Sequence, residues 1–435
     1  MGRKMKDSGI EWIGEIPEDW TIKRLKYQFD FGKGLSITKA DLVENGIAVI
    51  SYGQIHSKEN NGTEVNDSLI RYIPRDSEVV SPNSLLQKGD FVFADTSEDL
   101  DGCGNCVYVD SDNELYAGYH TIILKNKEDN GKYLAYLFQT DNWRKQIRAN
   151  VSGVKVFSIS RKILSEAINI VPPIEMQAKI VDILDEKCIE IDTAIKKTTD
   201  SMEAYKSLKQ SLITHAVTKG IRGEREMKDS GGQWFGDIPA NWQMMRMKYL
   251  FHIQKNIAGE KGHTVLSITQ RGIKVKDLSK NEGQLAADYS NYQLVHKGDF
   301  AMNHMDLLTG WVDISEYEGV TSPDYRVFVL DDKEQNYDKY YLYMMQMCYT
   351  NRIFYGLGQG VSGLGRWRLQ VDKFLNFEVP VPSCDEQREI AAYLDEKCSA
   401  IDTLIAKKEQ LLSELETYKK SLIYEYVTGK REVPA

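Results

Sequence analysis

Residues Ile174–Lys197 read IEMQAKIVDILDEKCIEIDTAIKK and residues Cys384–Lys407 read CDEQREIAAYLDEKCSAIDTLIAK; 12 of the 24 positions are identical at an offset of 210. In the first stretch and its continuation, apolar residues recur at Ile180, Leu184, Cys188, Ile191, Ile195, Met202, Tyr205, Leu208 and Leu212. In the second they recur at Ile390, Leu394, Cys398, Ile401, Ile405, Leu412, Leu415, Leu422 and Tyr426. Steps of three and four residues place one narrow apolar seam on an α-helix. Pro172-Pro173 precede the first run, and Pro380 and Pro382 the second, where proline suits a helix start; Gly220, Gly223 and Gly429 end the patterns. Each predicted helix has about 45 residues and a length of roughly 65 Å. A seam that long must pack on something equally long. The nearest candidate is the other helix, giving an antiparallel coiled coil if a pseudo-twofold axis relates the copies.

Working outward, a second repeat precedes each helix. Met5–Tyr27 (MKDSGIEWIGEIPEDWTIKRLKY) matches Met227–Tyr249 (MKDSGGQWFGDIPANWQMMRMKY) at 13 of 23 positions, with an offset of 222. Between the repeats only punctuation survives: Lys88-Gly89-Asp90-Phe91 against Lys297-Gly298-Asp299-Phe300, and Val151-Ser152-Gly153 against Val361-Ser362-Gly363. A period this long excludes a solenoid and indicates a duplicated domain pair. The divergent regions, roughly 28–170 and 250–380, read as mixed α/β. Phe91–Phe93, Thr121–Leu124 and Arg326–Leu330 have strand character, and Lys132–Arg148 and Lys339–Phe354 read as helices. The expected fold is therefore α+β: mixed α/β domains with two long antiparallel coiled-coil helices and an internal pseudo-twofold duplication. The expected boundaries are 1–171 (first domain with its leading segment), 172–221 (first long helix), 222–381 (second domain with its leading segment) and 382–435 (second helix and tail).

Composition narrows the function. The chain has 435 residues, 42% hydrophobic and 27% charged, with a net charge of −9. This is ordinary globular composition. No apolar run is long enough to span a membrane, Met1–Lys6 carries no apolar signal region, and six scattered cysteines fit a reducing compartment, so a cytoplasmic location is expected. Phosphate-loop, dinucleotide, nucleophile-elbow and zinc-protease motifs are absent, as is the Asn/Asp-Pro-Pro-Tyr/Phe of amino-methyltransferases. The seven histidines form no ligand-spaced pair. Cys103-Gly104-Asn105-Cys106 is a lone CxxC whose copy lacks both cysteines, so a turn with two free thiols is expected rather than a metal site. Leu-Asp-Glu-Lys-Cys at 184–188 and 394–398 offers nuclease-like carboxylates and a lysine, but its place on a long helix favours a solvated face around a small core cysteine. No catalytic or metal residue is predicted.

Together, Ser8, Gly9, Trp12, Gly14, Ile16, Pro17 and Trp20, their copies Ser230, Gly231, Trp234, Gly236, Ile238, Pro239 and Trp242, and the helix signature Val381-Pro382 with Glu386, Gln387 and Ile390 resemble the specificity (S) subunits of type I restriction–modification systems. The first copy departs at one point: Met176 replaces the Glu before Gln177. The resemblance spans the whole chain. It implies two target-recognition domains, each reading one half of a bipartite, asymmetric site in double-stranded DNA, with the coiled coil setting the spacer. It further implies a non-catalytic subunit that docks two N6-adenine methyltransferase (modification) subunits, and through them restriction subunits, in a bacterial or archaeal cell. S-adenosylmethionine, Mg and ATP would belong to those partners, and no cofactor to this chain.

Base readers are expected among polar side chains on loops. Two regions per domain qualify: Asp95, Thr96, Ser97, Glu98 and Asp99 with Lys155, Ser158, Ser160 and Arg161 in the first, and Asn303, His304, Met305 and Asp306 with Arg366, Trp367 and Arg368 in the second. The plainer reading of Arg366-Trp367-Arg368 is a surface strand with solvated arginines. Arg144, Lys145 and Arg148 share a predicted helix face and are phosphate candidates. Trp12, Trp20, Trp234 and Trp242 are expected to pack between a domain and the end of the coiled coil rather than to stack on bases. Neither domain is basic, with 18 Lys+Arg to 20 Asp+Glu over 21–171 and 16 to 16 over 243–381. Weak DNA binding by the isolated chain follows. The alternatives are a coiled-coil scaffold whose domains bind protein or a small ligand, and an unrecognised nuclease site in 28–170.

Overall fold

The computed structural model describes residues 3–127, 129–278, 288–360 and 367–434. The chain divides into two compact units, residues 1–198 with 410–435, and residues 199–409, so that the division falls inside both long helices. Those helices run unbroken over Ile174–Lys219 and Cys384–Val427. The first stops where Gly220 takes a positive φ of 76°. Gly429 (φ 70°) follows the second, and a Cβ there would lie 2.6 Å from Pro17.

In the first unit a four-stranded antiparallel sheet has the order 29–33, 121–126, 91–94, 106–108. The predicted helix over Lys132–Arg148 is two helices, Gly131–Gln139 and Asp141–Arg148, broken at Thr140, whose side chain caps the second. The leading repeat forms an antiparallel ladder with the strand that feeds the long helix (Thr21↔Val171 to Arg24↔Ile168). Phe91, Phe93, Phe138 and Trp143 fill one core with Ile180, Leu184, Cys188 and Ile191 from the first long helix and Leu422, Tyr426 and Val427 from the second. The two helix segments run antiparallel there: Asp192 pairs with Lys419 at 2.7 Å, and the Tyr133 hydroxyl lies 3.0 Å from the carbonyls of both Ile170 and Val427.

The second unit repeats this plan. Its sheet order is 251–254, 326–330, 300–302, 312–314. Gln243↔Val381 begins the matching ladder, and Asp338–Thr350 and Ile353–Leu357 are its helices, split at Arg352, whose φ is +58°. Lys209 pairs with Asp402 at 2.7 Å, and Tyr340 lies against the carbonyls of Pro380 and Val217, at 2.8 and 3.3 Å.

The repeated helix residues fasten each domain to its helix. Gln177 accepts from the Asn130 N–H and donates to the Pro172 carbonyl, and Gln387 does the same with Tyr337 and Pro382. Asp185 accepts from Lys132 (2.8 Å) and the Tyr136 hydroxyl (2.6 Å), and Asp395 from Lys339 (2.5 Å) and Tyr343 (2.8 Å). The Leu-Asp-Glu-Lys-Cys face is therefore not simply solvated: its Asp is a docking acceptor, while Cys188 and Cys398 are buried. Of the seam residues, Ile180, Leu184, Ile191, Ile390, Leu394 and Ile401 are buried and Ile195 and Ile405 half-buried, whereas Leu208 is 47% exposed and lies off the seam. Trp20 and Trp242 are fully buried in the two cores, and Trp12 and Trp234 pack at their edges.

Candidate nucleic-acid interface

In each unit the two sequence regions singled out as base readers come together. Thr96–Ser97 pairs antiparallel with Phe157–Ser158, and the Ile159 N–H donates to the Asp95 carbonyl at 2.7 Å. In the second unit the Leu369 N–H donates to the His304 carbonyl (3.1 Å) and the Leu307 N–H to the Trp367 carbonyl (3.2 Å). The sheet's inner strand ends at this rim, so the polar loops stand on a buried, rigid base.

Individual residues sort differently. Asp95 borders an open cleft of ≈ 1040 Å³ with Asp30, Lys33, Lys125, Ser160 and Arg161. Its carboxylate lies 3.1 Å from His120 Nδ1. Arg161 is exposed and its guanidinium sits 5.2 Å over the Phe31 ring; Lys155 and Ser158 are exposed too. Ser160 caps the helix Arg161–Glu166. Ser97 is buried and binds the Asp99 carbonyl, so it shapes the loop rather than facing outward. Glu98 and Asp99 line a second hollow with His56, Asn105 and Arg144. One Asp99 oxygen accepts from the Gly102 N–H at 2.6 Å.

Two of the three phosphate candidates, Arg144 and Arg148, are held by partners within the unit. Arg144 donates to the Phe138 carbonyl, Asn105 (2.6 Å) and Gln139 (2.6 Å), and burial pulls its pKa down. Arg148 bridges Asp141 (2.5 Å) and the Asp101 carbonyl (3.0 Å). Both are struts for the 97–105 loop, because the helix buries Trp143 and Ile147 and turns their neighbours inward. Lys145 is exposed, with Asp141 at 3.3 Å.

In the second unit Asp306 is a loop acceptor for Leu308 and Thr309, and Asn303 accepts from the Met305 N–H; Met305 is buried. The Trp367 indole N–H donates to the Tyr355 carbonyl (2.6 Å) and its ring stacks on Tyr355, which ties this strand to the helix Ile353–Leu357. Arg368 is half-buried beside His304, and Arg366 lies outside the described residues. Burial, with Arg326 and Arg368 nearby, pushes the His304 imidazole down to about 3, so it is neutral at pH 7.

Sequence reasoning missed Arg326 and, in the first unit, a Tyr52–Tyr119–His120 cluster with ring centroids 5.4–6.0 Å apart. His120 has φ +55°, uncommon for a side-chain-bearing residue. None of these falls in a repeated motif. Burial raises both CxxC thiols, Cys106 to about 12. Among the described residues no group of three His, Cys, Asp or Glu side chains could hold a metal ion, and no helix is long and apolar enough to cross a membrane.

The sequence profile of the type I restriction modification DNA specificity domain matches residues 17–199 and 239–417, one stretch per copy. The chain belongs to this family. It is 22% identical over 442 residues to the putative type I restriction enzyme MjaX specificity subunit of Methanocaldococcus jannaschii, covering 97% of this chain and 96% of that one. It is 25% identical over 322 residues to the MjaVIII specificity subunit of the same organism (71% and 72%). Its fold is similar to a chain from a structure of complex assembly and conformational transition of the type I R-M system (TM-score 0.71, 14% identity, 96% and 99% covered). It is also similar to the HsdS subunit from Thermoanaerobacter tengcongensis (TM-score 0.50, 13% identity, 96% and 98%). This specificity-family chain thus carries its family's domain twice.

Matched positions of its two copies differ in chemistry. Leu124 lies opposite Phe91 and Phe328 opposite Phe300, so Ile122 corresponds to Arg326. The shared rim bonds equate Asp95 with His304 and Ser158 with Arg368. The first unit presents a carboxylate and a hydroxyl where the second presents an imidazole and two guanidiniums.

Proposed function

We propose that the chain reads a bipartite, asymmetric site in double-stranded DNA, one half with each unit, as the specificity subunit of a type I restriction–modification complex. The observation that carries this is the matched rim: one scaffold, built twice, holds acceptor-rich chemistry in the first copy and donor-rich chemistry in the second. Donors select guanine N7 and O6, whereas carboxylates select the cytosine amino group, so the two rims suit different bases. The helices continue through both units without a break, which suits them to set the spacer. Their outward side chains include the exposed apolar residues Ile189, Leu404, Leu411 and Tyr418, which suit docking of N6-adenine methyltransferase subunits. Restriction subunits would join through those partners, and S-adenosylmethionine, Mg and ATP would be bound by them.

In this reading the chain itself is non-catalytic, and its near-neutral domains leave much of the phosphate grip to the partners. The test is co-purification with candidate modification subunits followed by footprinting on DNA. Protection of two short half-sites by the complex, with weak binding by the chain alone, is expected. Tight, selective binding by the isolated chain at physiological salt would contradict the shared grip. Mg-dependent cleavage by the chain alone would contradict the non-catalytic role. Binding of protein with no DNA protection would favour the scaffold.

A further inference from the structure

Three nitrogen-bearing side chains of the second unit converge from three separate segments. His304 follows the strand Phe300–Met302, Arg326 begins the neighbouring strand opposite Met302, and Arg368 ends the short strand Trp367–Arg368. The Leu369 backbone joins them: its N–H donates to the His304 carbonyl, and its own carbonyl accepts from Arg326 Nη2 at 3.0 Å. Arg326 is 3% exposed, with its guanidinium 4.9 Å over the Phe374 ring.

A buried guanidinium ordinarily faces a carboxylate, because removing an unpaired charge from water is costly. Here, among the described residues, neither Arg326 nor Arg368 has a carboxylate partner, and His304 Nδ1, Arg326 Nη1 and Arg368 Nε are buried without any hydrogen bond. The Asp306 carboxylate is held by Leu308 and Thr309. Burial pulls the Arg326 guanidinium down to about 10. The first copy has Asp95, Ile122 and Ser158 at the matched positions, so this is no requirement of the scaffold.

We propose that His304, Arg326 and Arg368 form a pocket for an electron-rich acceptor of DNA, with half-exposed Arg368 making the contact and Arg326 positioning it from beneath. The shared chemistry fits either a guanine N7/O6 edge or a phosphate oxygen. This proposal rests on the DNA-reading function above. It makes Arg326, a strand residue outside every repeated motif, a determinant of DNA binding by the second unit.

The experiment compares the full chain, assembled with its modification subunits, as wild type, Arg368→Ala, Arg326→Met and Arg326→Lys. Each binds its own site, sites altered one base pair at a time, sites carrying 7-deazaguanine, and a salt series. Arg368→Ala and Arg326→Met are expected to lose about 10- to 100-fold in affinity or discrimination, confined to one half-site, with Arg326→Lys intermediate. A base acceptor shows as relaxed preference at one position, mimicked by 7-deazaguanine, with the salt slope unchanged. A phosphate acceptor shows as uniform weakening and a slope reduced by about one. Either result supports the pocket. Wild-type selectivity and salt slope in Arg368→Ala and Arg326→Lys, both melting like wild type, would overturn it, and these two variants decide the matter should Arg326→Met not fold. Wild-type complex that fails to distinguish any two sequences would instead overturn the DNA-reading function itself, and the pocket with it.

Discussion

Glu386 and Met176 occupy the same place in the two copies, and exchanging them tests the packing of the leading repeat on the helix. In the second unit the Trp242 indole N–H donates to Glu386 Oε2 at 3.0 Å, and Arg225 donates to Oε1 at 2.5 Å while lying over the Trp242 ring. The Glu386 side chain is fully buried and Arg225 17% exposed. In the first unit, which has Met176 there, Trp20 Nε1 is buried without a partner among the described residues; Arg3 still covers Trp20 but reaches Asp19 at 3.5 Å. Glu386→Met therefore leaves an indole N–H unpaired, at about 1–3 kcal/mol, and strips a mostly buried arginine of its partner, at up to about 3–5 kcal/mol. Arg225 keeps some solvent and its bond to the Lys219 carbonyl, so the net loss is about 2–4 kcal/mol. Met176→Glu should go the other way, by about 1 kcal/mol. Urea unfolding of the full chain followed by tryptophan fluorescence measures both, and a double-mutant cycle with Arg225→Met isolates the pair. A loss below about 0.5 kcal/mol for Glu386→Met would refute the reasoning.

Two further outcomes follow from the cores and the rim. Leu184→Ala and Leu394→Ala remove fully buried seam side chains, and each should cost about 2–5 kcal/mol in chemical denaturation; a cost under about 1 kcal/mol would show that the helix seam is not part of the domain cores. His304 has a folded pKa of about 3 against an unfolded value near 6.5. As pH falls through 6.5 the unfolded chain takes up a proton that the folded chain refuses until about 3, so stability drops across that window by up to about 1.4 kcal/mol per pH unit. His304→Asn should flatten this dependence between pH 6.5 and 4, and an unchanged slope in urea midpoints would contradict the buried neutral imidazole.

The long helices were legible because a seam at three- and four-residue steps survives any change of partner, and prolines and glycines mark its ends. Leu208 misled because a step of three from Tyr205 continues the pattern numerically while the residue turns outward. The roles of Gln177 and Asp185 were not legible, since their partners Asn130, Lys132 and Tyr136 lie more than forty positions away and only folding brings them close. The rim was legible as two regions but not as residues. Arg144, Lys145 and Arg148 read as one phosphate-facing group, and the internal partners of Arg144 and Arg148 were not legible because the inward face is fixed only by the buried Trp143 and Ile147. Arg326 reads as an ordinary strand residue, and only its burial without a carboxylate partner among the described residues marks it out.

The central claim is that each unit reads its own half of the DNA site. Replacing residues 28–170 with the corresponding region of another specificity subunit, and sequencing methylated DNA from cells carrying the hybrid complex, tests it directly. One half of the methylated motif should change, with the other half and the spacer retained. A change in both halves, or in neither, would contradict the account.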